Sequence, residues 1–186
     1  MVRWSDMLPG VMPHVPGAPK GTVKQQLQRA AERFFLESHA WVEELDPIPP
    51  EPDGVLFLYP PTSSAEVIAV SEAKQEGKLL EVTFRPPAEA VASDIDKDGD
   101  DVYVRAALKP ASRSRGIPEE VWSHWGTYIQ DGALARVMEI PGKPWSSFDG
   151  AEYFSNRFRR GVVEARSRRA KGHTEKNLRV QPRRFV

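Results

Sequence analysis

The string from Asp94 to Gly99 has the residue types and spacing of the first half of a calcium-binding loop. Alternating carboxylates followed by a glycine suit a hard cation that takes several oxygen ligands. The second half of the loop departs from that pattern. The twelfth position, which should supply a bidentate glutamate, is Arg105, and the hydrophobic eighth position is Asp101. An acidic turn between two strands, residues 94–101, is therefore favoured over a cation site.

Other arrangements that could do chemistry are missing from the sequence. The four histidines, His14, His39, His124 and His173, are far apart and show no zinc-site spacing. The absence of cysteine excludes disulfides and thiol catalysis. Nucleophile elbows, phosphate loops and dinucleotide fingerprints are absent as well. We predict that the protein is not an enzyme and has no catalytic residue, cofactor or metal ligand.

The neutral net charge of the chain conceals two segments of opposite sign. Residues 43–101 hold four basic and fifteen acidic side chains, a net charge of −11, whereas residues 157–186 hold eleven and two, a net charge of +9. Segregated charge of this kind favours contact with a partner of the opposite sign.

The basic end allows three interpretations: a solvated helix surface, a nucleic-acid contact, or a tail that folds on an acidic protein surface. Among its basic residues are Arg157, Arg159, Arg160, Arg166, Arg168, Arg169, Lys171, Arg179, Arg183 and Arg184. The third interpretation is favoured because Leu178, Val180 and Phe185 give the tail apolar anchors that an electrostatic DNA arm does not need.

Five aromatic residues are candidates for the core or for an interface between subunits. A ligand stack is the less favoured interpretation of the tryptophans. These residues are Trp41, Trp122, Trp125, Phe154 and Phe158.

Periodicity predicts three main helices, at about 22–43, 118–139 and 147–171, because apolar residues recur there at three- and four-residue spacing. A Thr22–Gln25 capping box is expected to open the first helix. Short alternating runs between the helices predict a hairpin around residues 75–77. The expected fold class is mainly α: a bundle of three main helices with a small antiparallel β insertion, an extended N-terminal arm and a C-terminal tail. The predicted parts are a Pro-rich arm (1–21), the helical bundle (22–46 with 117–172), the acidic β insertion (47–116) and the basic extended tail (173–186).

No apolar run approaches the roughly 20 residues needed to cross a bilayer. The first ten residues also lack the features of a signal peptide. We therefore expect no membrane partner and synthesis in the cytoplasm.

The order of these parts is similar to that of a known family. The strings that carry the resemblance are Val2–Pro9, Val15–Gly17, Ala30–Phe35 with Ser38–Trp41, Ile117–Glu120 with Trp125, and Pro141–Trp145 before Phe154, Phe158, Arg159 and Arg160. In these strings the chain resembles the head-to-tail adaptor (connector) proteins of tailed bacteriophages, in particular the short-tailed ones.

The resemblance implies a structural virion protein at the head–tail junction, made in the host cytoplasm. Such proteins form a ring, here expected to be a dodecamer, between the portal protein and the tail nozzle or tail tube. The ring extends the ejection channel, through which DNA passes without sequence recognition. The resemblance assigns portal binding to the tail, through Leu178, Arg179, Val180, Arg183, Arg184 and Phe185. The alternative is a nucleic-acid-binding module that uses the basic C-terminal helix and tail.

Overall fold

Three amphipathic helices pack together in the computed structural model of the chain, which describes residues 1–171. They are α1 (Lys20–Ser38), α2 (Glu119–Met138) and α3 (Phe148–Ala170). α2 lies between the other two and runs antiparallel to both, since Gly132 faces Ala30 and Phe158 whereas Trp125 contacts Phe34. The ends of α1 and α3 that come last in the chain therefore lie together, beside the start of α2.

Helix boundaries depart from the predicted ones at α1. The helix begins at Lys20 after Pro19, so the predicted capping box is wrong and Thr22 lies inside the first turn. It ends at Ser38 because His39 takes a left-handed conformation, with φ 53°, and donates its N–H to the carbonyl of Phe35 at 2.8 Å. At α3 the N-cap is Ser147, whose Oγ accepts the N–H of Gly150 at 3.1 Å.

Three antiparallel sheets make the expected mainly α fold class wrong. The described residues are 40% helix and 24% strand, so the chain is a mixed α and β protein. The sheets have two, four and three strands in the orders β1-β9, β2-β8-β4-β5 and β3-β7-β6. The strands are β1 (Val2–Arg3), β2 (Val42–Glu44), β3 (Val55–Phe57), β4 (Ala65–Gln75), β5 (Lys78–Leu79), β6 (Val82–Arg85), β7 (Glu89–Ala92), β8 (Tyr103–Pro110) and β9 (Gly116–Ile117).

The sheet content was underestimated because the β region is larger and more divided than the apolar runs indicate. The hairpin predicted at residues 75–77 is confirmed, and Gln75 pairs with Lys78 across a turn with positive φ at Glu76 and Gly77. The run after that turn, predicted as one strand, splits: β5 pairs with β4, whereas β6 joins β7 in a different sheet. β2 adds a further strand from residues that were predicted as the end of the first helix.

The N-terminal arm packs into the core of its own chain. β1 pairs with β9, and two short 3-10 helices, Leu8–Gly10 and Met12–His14, follow it. The buried Trp4 donates its Nε1–H to the carbonyl of Ser114 at 2.8 Å. The apolar residues Met7, Val11 and Val15 are buried as well. The N-terminal arm is therefore folded against the core, and only its first strand is extended.

Two glycines allow the helices to approach closely. A Cβ placed on Gly132 of α2 would lie 2.4 Å from the ring of Phe158 and 3.2 Å from Ala30 Cβ. A Cβ on Gly161 of α3 would lie 2.2 Å from Tyr128 Cγ. These distances are all shorter than a normal van der Waals contact. The helices can therefore pack this closely only because both positions are glycine.

We expect Gly132→Ala to lower the free energy of unfolding by about 1–3 kcal/mol, although alanine is the better helix former by about 1 kcal/mol. The added methyl group must displace the buried Phe158 ring. The control is Gly21→Ala in α1, where a Cβ would meet open space and stability should not fall. Denaturant unfolding measures both variants, and equal stabilisation by both would contradict the proposed close packing.

Candidate interaction surfaces

The predicted aromatic candidates lie in or against the core of the single chain. Trp41, Trp125 and Phe158 are buried, whereas Trp122 and Phe154 are partly buried and pack against the same core. Phe34 joins them, since its ring centroid lies 5.7 Å from that of Trp125 and 5.9 Å from that of Phe158. These rings therefore stabilise the fold of the chain itself.

The tail assignment lies outside the part of the chain that the structure describes. The residues concerned are Leu178, Arg179, Val180, Arg183, Arg184 and Phe185. Their assignment to portal binding stays a prediction.

The acidic turn is organised by a buried glutamine. Gln75, only 4% exposed, donates from Nε2 to the carbonyls of Asp96 at 2.7 Å and Asp100 at 2.8 Å. Its Oε1 accepts the N–H of Asp96 at 2.8 Å. One side-chain amide therefore holds both ends of the turn. Within residues 1–171 no cluster of three or more histidine or acidic side chains is placed to hold a metal ion.

The outer face of α3 carries large apolar side chains that nothing in residues 1–171 covers. Phe148 is 82% exposed, Val163 63% and Tyr153 56%. Tyr153 and Val163 lie on the side of the helix away from its buried residues, whereas Phe148 lies at the flank of that side, in the first turn. The buried residues are Ala151, Phe158, Gly161, Val162 and Ala165. Phe148 and Val163 are 15 residues apart, about 22 Å along the helix axis. Exposed apolar side chains of this size are typical of a surface that meets another protein.

Most of the arginines on α3 are engaged within the chain. Arg166 Nε donates to the carbonyl of Glu37 at 2.7 Å, at the end of α1. Arg169 reaches Ser71 Oγ on β4 at 3.2 Å, and the guanidinium of Arg168 lies 5.9 Å from the centre of the Trp125 ring. The basic end of α3 therefore fastens the helices to the four-stranded sheet.

These contacts place the two oppositely charged segments side by side. His39 shows the local effect, because burial and the charges of Arg169 and Arg166 lower its pKa. Arg166 also satisfies a carbonyl in the last turn of α1, where a cation is favourable. The acidic β region and the basic helix end thus occupy the same end of the bundle.

An ion pair with a buried carboxylate connects α2 with α3. Asp131, 4% exposed, pairs with Arg157, whose Nε lies 3.0 Å from Asp131 Oδ2. Arg157 also donates to the hydroxyl of Tyr153 at 3.3 Å. Burial raises the pKa of Asp131, and the charge of Arg157 only partly opposes that rise. The pair ties the exposed Tyr153 to the core of the bundle.

Sequence reasoning missed the contacts of Gln75, Arg166 and Arg169, because no local pattern indicates which distant backbone group a side chain will meet. The exposed Tyr153 and Val163 did leave a signal. Both residues fall outside the apolar stripe of the third predicted helix, and a large apolar residue off the stripe indicates a contact with another molecule.

We expect Gln75→Leu to lower the free energy of unfolding by about 1–3 kcal/mol, because three hydrogen bonds to the acidic turn are lost. Gln25→Leu, on the exposed face of α1, is the matched control and should change stability by less than about 0.5 kcal/mol. Denaturant unfolding measures the effect. If millimolar Ca²⁺ restored the stability of Gln75→Leu, a cation rather than the amide would organise the turn.

The stability of the chain should depend on pH through Asp131. Its pKa in the folded state is raised above the ordinary value of 3.8, so the folded state holds this proton more tightly than the unfolded one. Its contribution to stability is therefore present below about pH 4 and is lost as pH rises through the pKa of the folded state. Relative to wild type, Asp131→Asn should gain stability across that range.

Denaturant unfolding at several pH values measures this difference. Glu152→Gln, which removes an exposed carboxylate of α3, is the control and should leave the contribution of Asp131 unchanged. A constant difference between wild type and Asp131→Asn would contradict the raised pKa.

Comparison with known proteins gives no relative from which a function could be taken. No family model matches the chain, and no curated protein is significantly similar to it in sequence. Within residues 1–171, none of the helices has the length and apolar content needed to cross a membrane. The outer face of α3 and the acidic region beside its end are the surfaces from which a function can be argued.

Proposed function

We propose that this chain is a structural virion protein, the subunit of an adaptor ring that joins the portal to the tail and extends the DNA channel. The observation that carries the proposal is the outer face of α3, where Phe148, Tyr153 and Val163 are exposed. The resemblance in sequence indicates which assembly the chain would form, the adaptor ring. The exposed face of α3 gives a physical reason for the chain to associate.

Burial of this face would remove three large apolar side chains from water. Each contributes about 1.5–3 kcal/mol when it is fully buried. The face also carries charges of both signs, Arg159 and Arg160 together with Glu152 and Glu164. Mixed charges around apolar anchors are typical of the rim and centre of a protein interface.

A ring needs two different patches on each subunit, because each copy meets one neighbour on either side. α3 offers one patch. α1, on the other flank of α2, offers a second helical surface, on which Leu36 is 54% exposed. Leu36 and the exposed residues of α3 both lie outside the core, so side-by-side packing of copies through α1 and α3 would close a ring without disturbing the core. The chain's portal contact remains assigned to the tail, residues 173–186.

The alternative, a nucleic-acid-binding module, is less well supported. Its basis is the exposed pair Arg159 and Arg160, for which the described residues provide no partner. Arg157, Arg166 and Arg169 are already bonded within the chain. Steep salt dependence of duplex binding, with clear binding at about 50 mM salt, would favour this alternative.

The proposal is tested by mixing the purified chain with purified portal and observing the product by electron microscopy and sedimentation. We expect a ring on the portal, and we expect deletion of residues 173–186 to abolish the complex. Val163→Asp should weaken assembly by about tenfold or more, since a buried anchor contributes about 2 kcal/mol.

The matched control is Thr83→Asp, which adds the same charge at an exposed position of β6 and should assemble normally. Circular dichroism should show both variants folded, because both positions are exposed. A chain that stays monomeric with portal, with or without its tail, would refute the proposed function.

A further inference from the structure

An apolar groove lies beside the three-stranded sheet. Its volume is about 250 Å³. One wall is the segment 46–51, and the other is formed by alternate side chains along and just after β3. The lining residues are Asp46, Pro47, Ile48, Pro49, Glu51, Val55, Phe57 and Tyr59. Two aromatic rings in this lining are open to solvent, since Phe57 is 46% exposed and Tyr59 71%.

The groove runs along an open strand edge. β3 is the outermost strand of its sheet and pairs only with β7 among the described residues. Leu56 and Leu58 face the core, and Leu58 N–H donates to Ala88 on the β7 side at 2.8 Å. The backbone groups of Phe57 therefore point to the opposite, unpaired edge. Such an edge can accept an extended segment as an added strand.

The charged residues of the groove favour a basic segment as its occupant. Both charged lining residues, Asp46 and Glu51, are acidic. Residues 172–186 carry four basic side chains and one acidic one, a net charge of +3, and alternate Leu178, Arg179 and Val180. In an added strand, alternate residues face opposite sides, so Leu178 and Val180 can face the apolar wall together.

We propose that residues 172–186 dock in this groove of their own chain as a strand added along β3. Leu178 and Val180 contact Phe57 and Tyr59, and the arginines of the segment lie near the carboxylates of the rim. The docking is a property of the isolated subunit and does not depend on the adaptor role. If the portal takes the same segment, portal binding and docking in the groove are competing states.

The length of the segment permits this. Arg169 contacts Ser71 on β4, and β4 and β2 flank the same stretch of β8. Across the sheet, the groove at Ile48 is two strand spacings from β4, about 10 Å. Along the strand direction, Ile48 lies four residues beyond Glu44, about 13 Å. The seven residues from Lys171 to Leu178 can span about 23 Å when extended. The extended length of these residues therefore exceeds both separations.

The chain contains no cysteine, so a disulfide between two introduced cysteines tests the contact in the full-length protein. In the variant Tyr59→Cys with Val180→Cys, we expect rapid disulfide formation within the monomer in a glutathione buffer. The matched control is Tyr153→Cys with Val180→Cys, which also replaces an exposed tyrosine. Because Tyr153 is 18 residues before Lys171 on α3, about 27 Å along the helix, the segment can reach it as well.

Docking should make the first pair form at least about ten times faster than the control pair, since it raises the local concentration of one cysteine at the other. Adding Asp46→Asn and Glu51→Gln should reduce that ratio. Non-reducing gels and peptide mass spectrometry measure both. Equal rates for the two pairs would overturn the proposal, and cross-links found only between chains would overturn docking within one chain in favour of a neighbouring copy.

Discussion

The contact of Gly132 with Phe158 and Ala30 is the constraint on which the rest of the structure depends. Three helices meet at that point, and the absence of a side chain on Gly132 sets how close they come. The antiparallel course of α3 against α2 follows from this packing and from Gly161 against Tyr128. It carries the end of α3 back to the end of α1, where Arg166 and Arg169 can reach Glu37 and Ser71.

The direction of α3 determines which of the basic residues at its end remain available to a partner. In the sequence, an acidic middle and a basic end are separate segments, but the fold brings the basic helix end against β4, which lies within the acidic segment 43–101. Arginines that looked available for an external anion instead bind backbone and hydroxyl groups of their own chain. What α3 leaves open is an apolar face with charges of both signs, which suits a protein partner better than a phosphate backbone.

The sequence predicted those features that local physics determines. Apolar periodicity located the three helices, and turn chemistry located the hairpin at Gln75. Prediction from the sequence failed where a contact between residues far apart in the chain determines the local structure. The spacing of Phe34, Ser38 and Trp41 continues a helical stripe, yet the chain leaves the helix at His39 and Trp41 packs on Phe35 from the strand side. The fold class was wrong for the same reason, since short segments such as Glu89–Ala92 become strands only through their partners. Of the candidate site, the exposed face of α3 was predictable from the helical stripe, whereas the groove along β3 was not.

The open edge of β3 and the apolar face of α3 present the same physical problem in two forms. An unpaired strand edge and an uncovered apolar surface both favour association with another segment or surface. The face of α3 is a rigid helix surface that needs a second folded surface to cover it. The edge of β3 needs only a single strand to pair with it, and the basic residues 172–186 follow α3 at the same end of the bundle. On our proposal, docking of that segment would cover the open edge in the isolated chain, and a partner that binds the segment would expose the edge again.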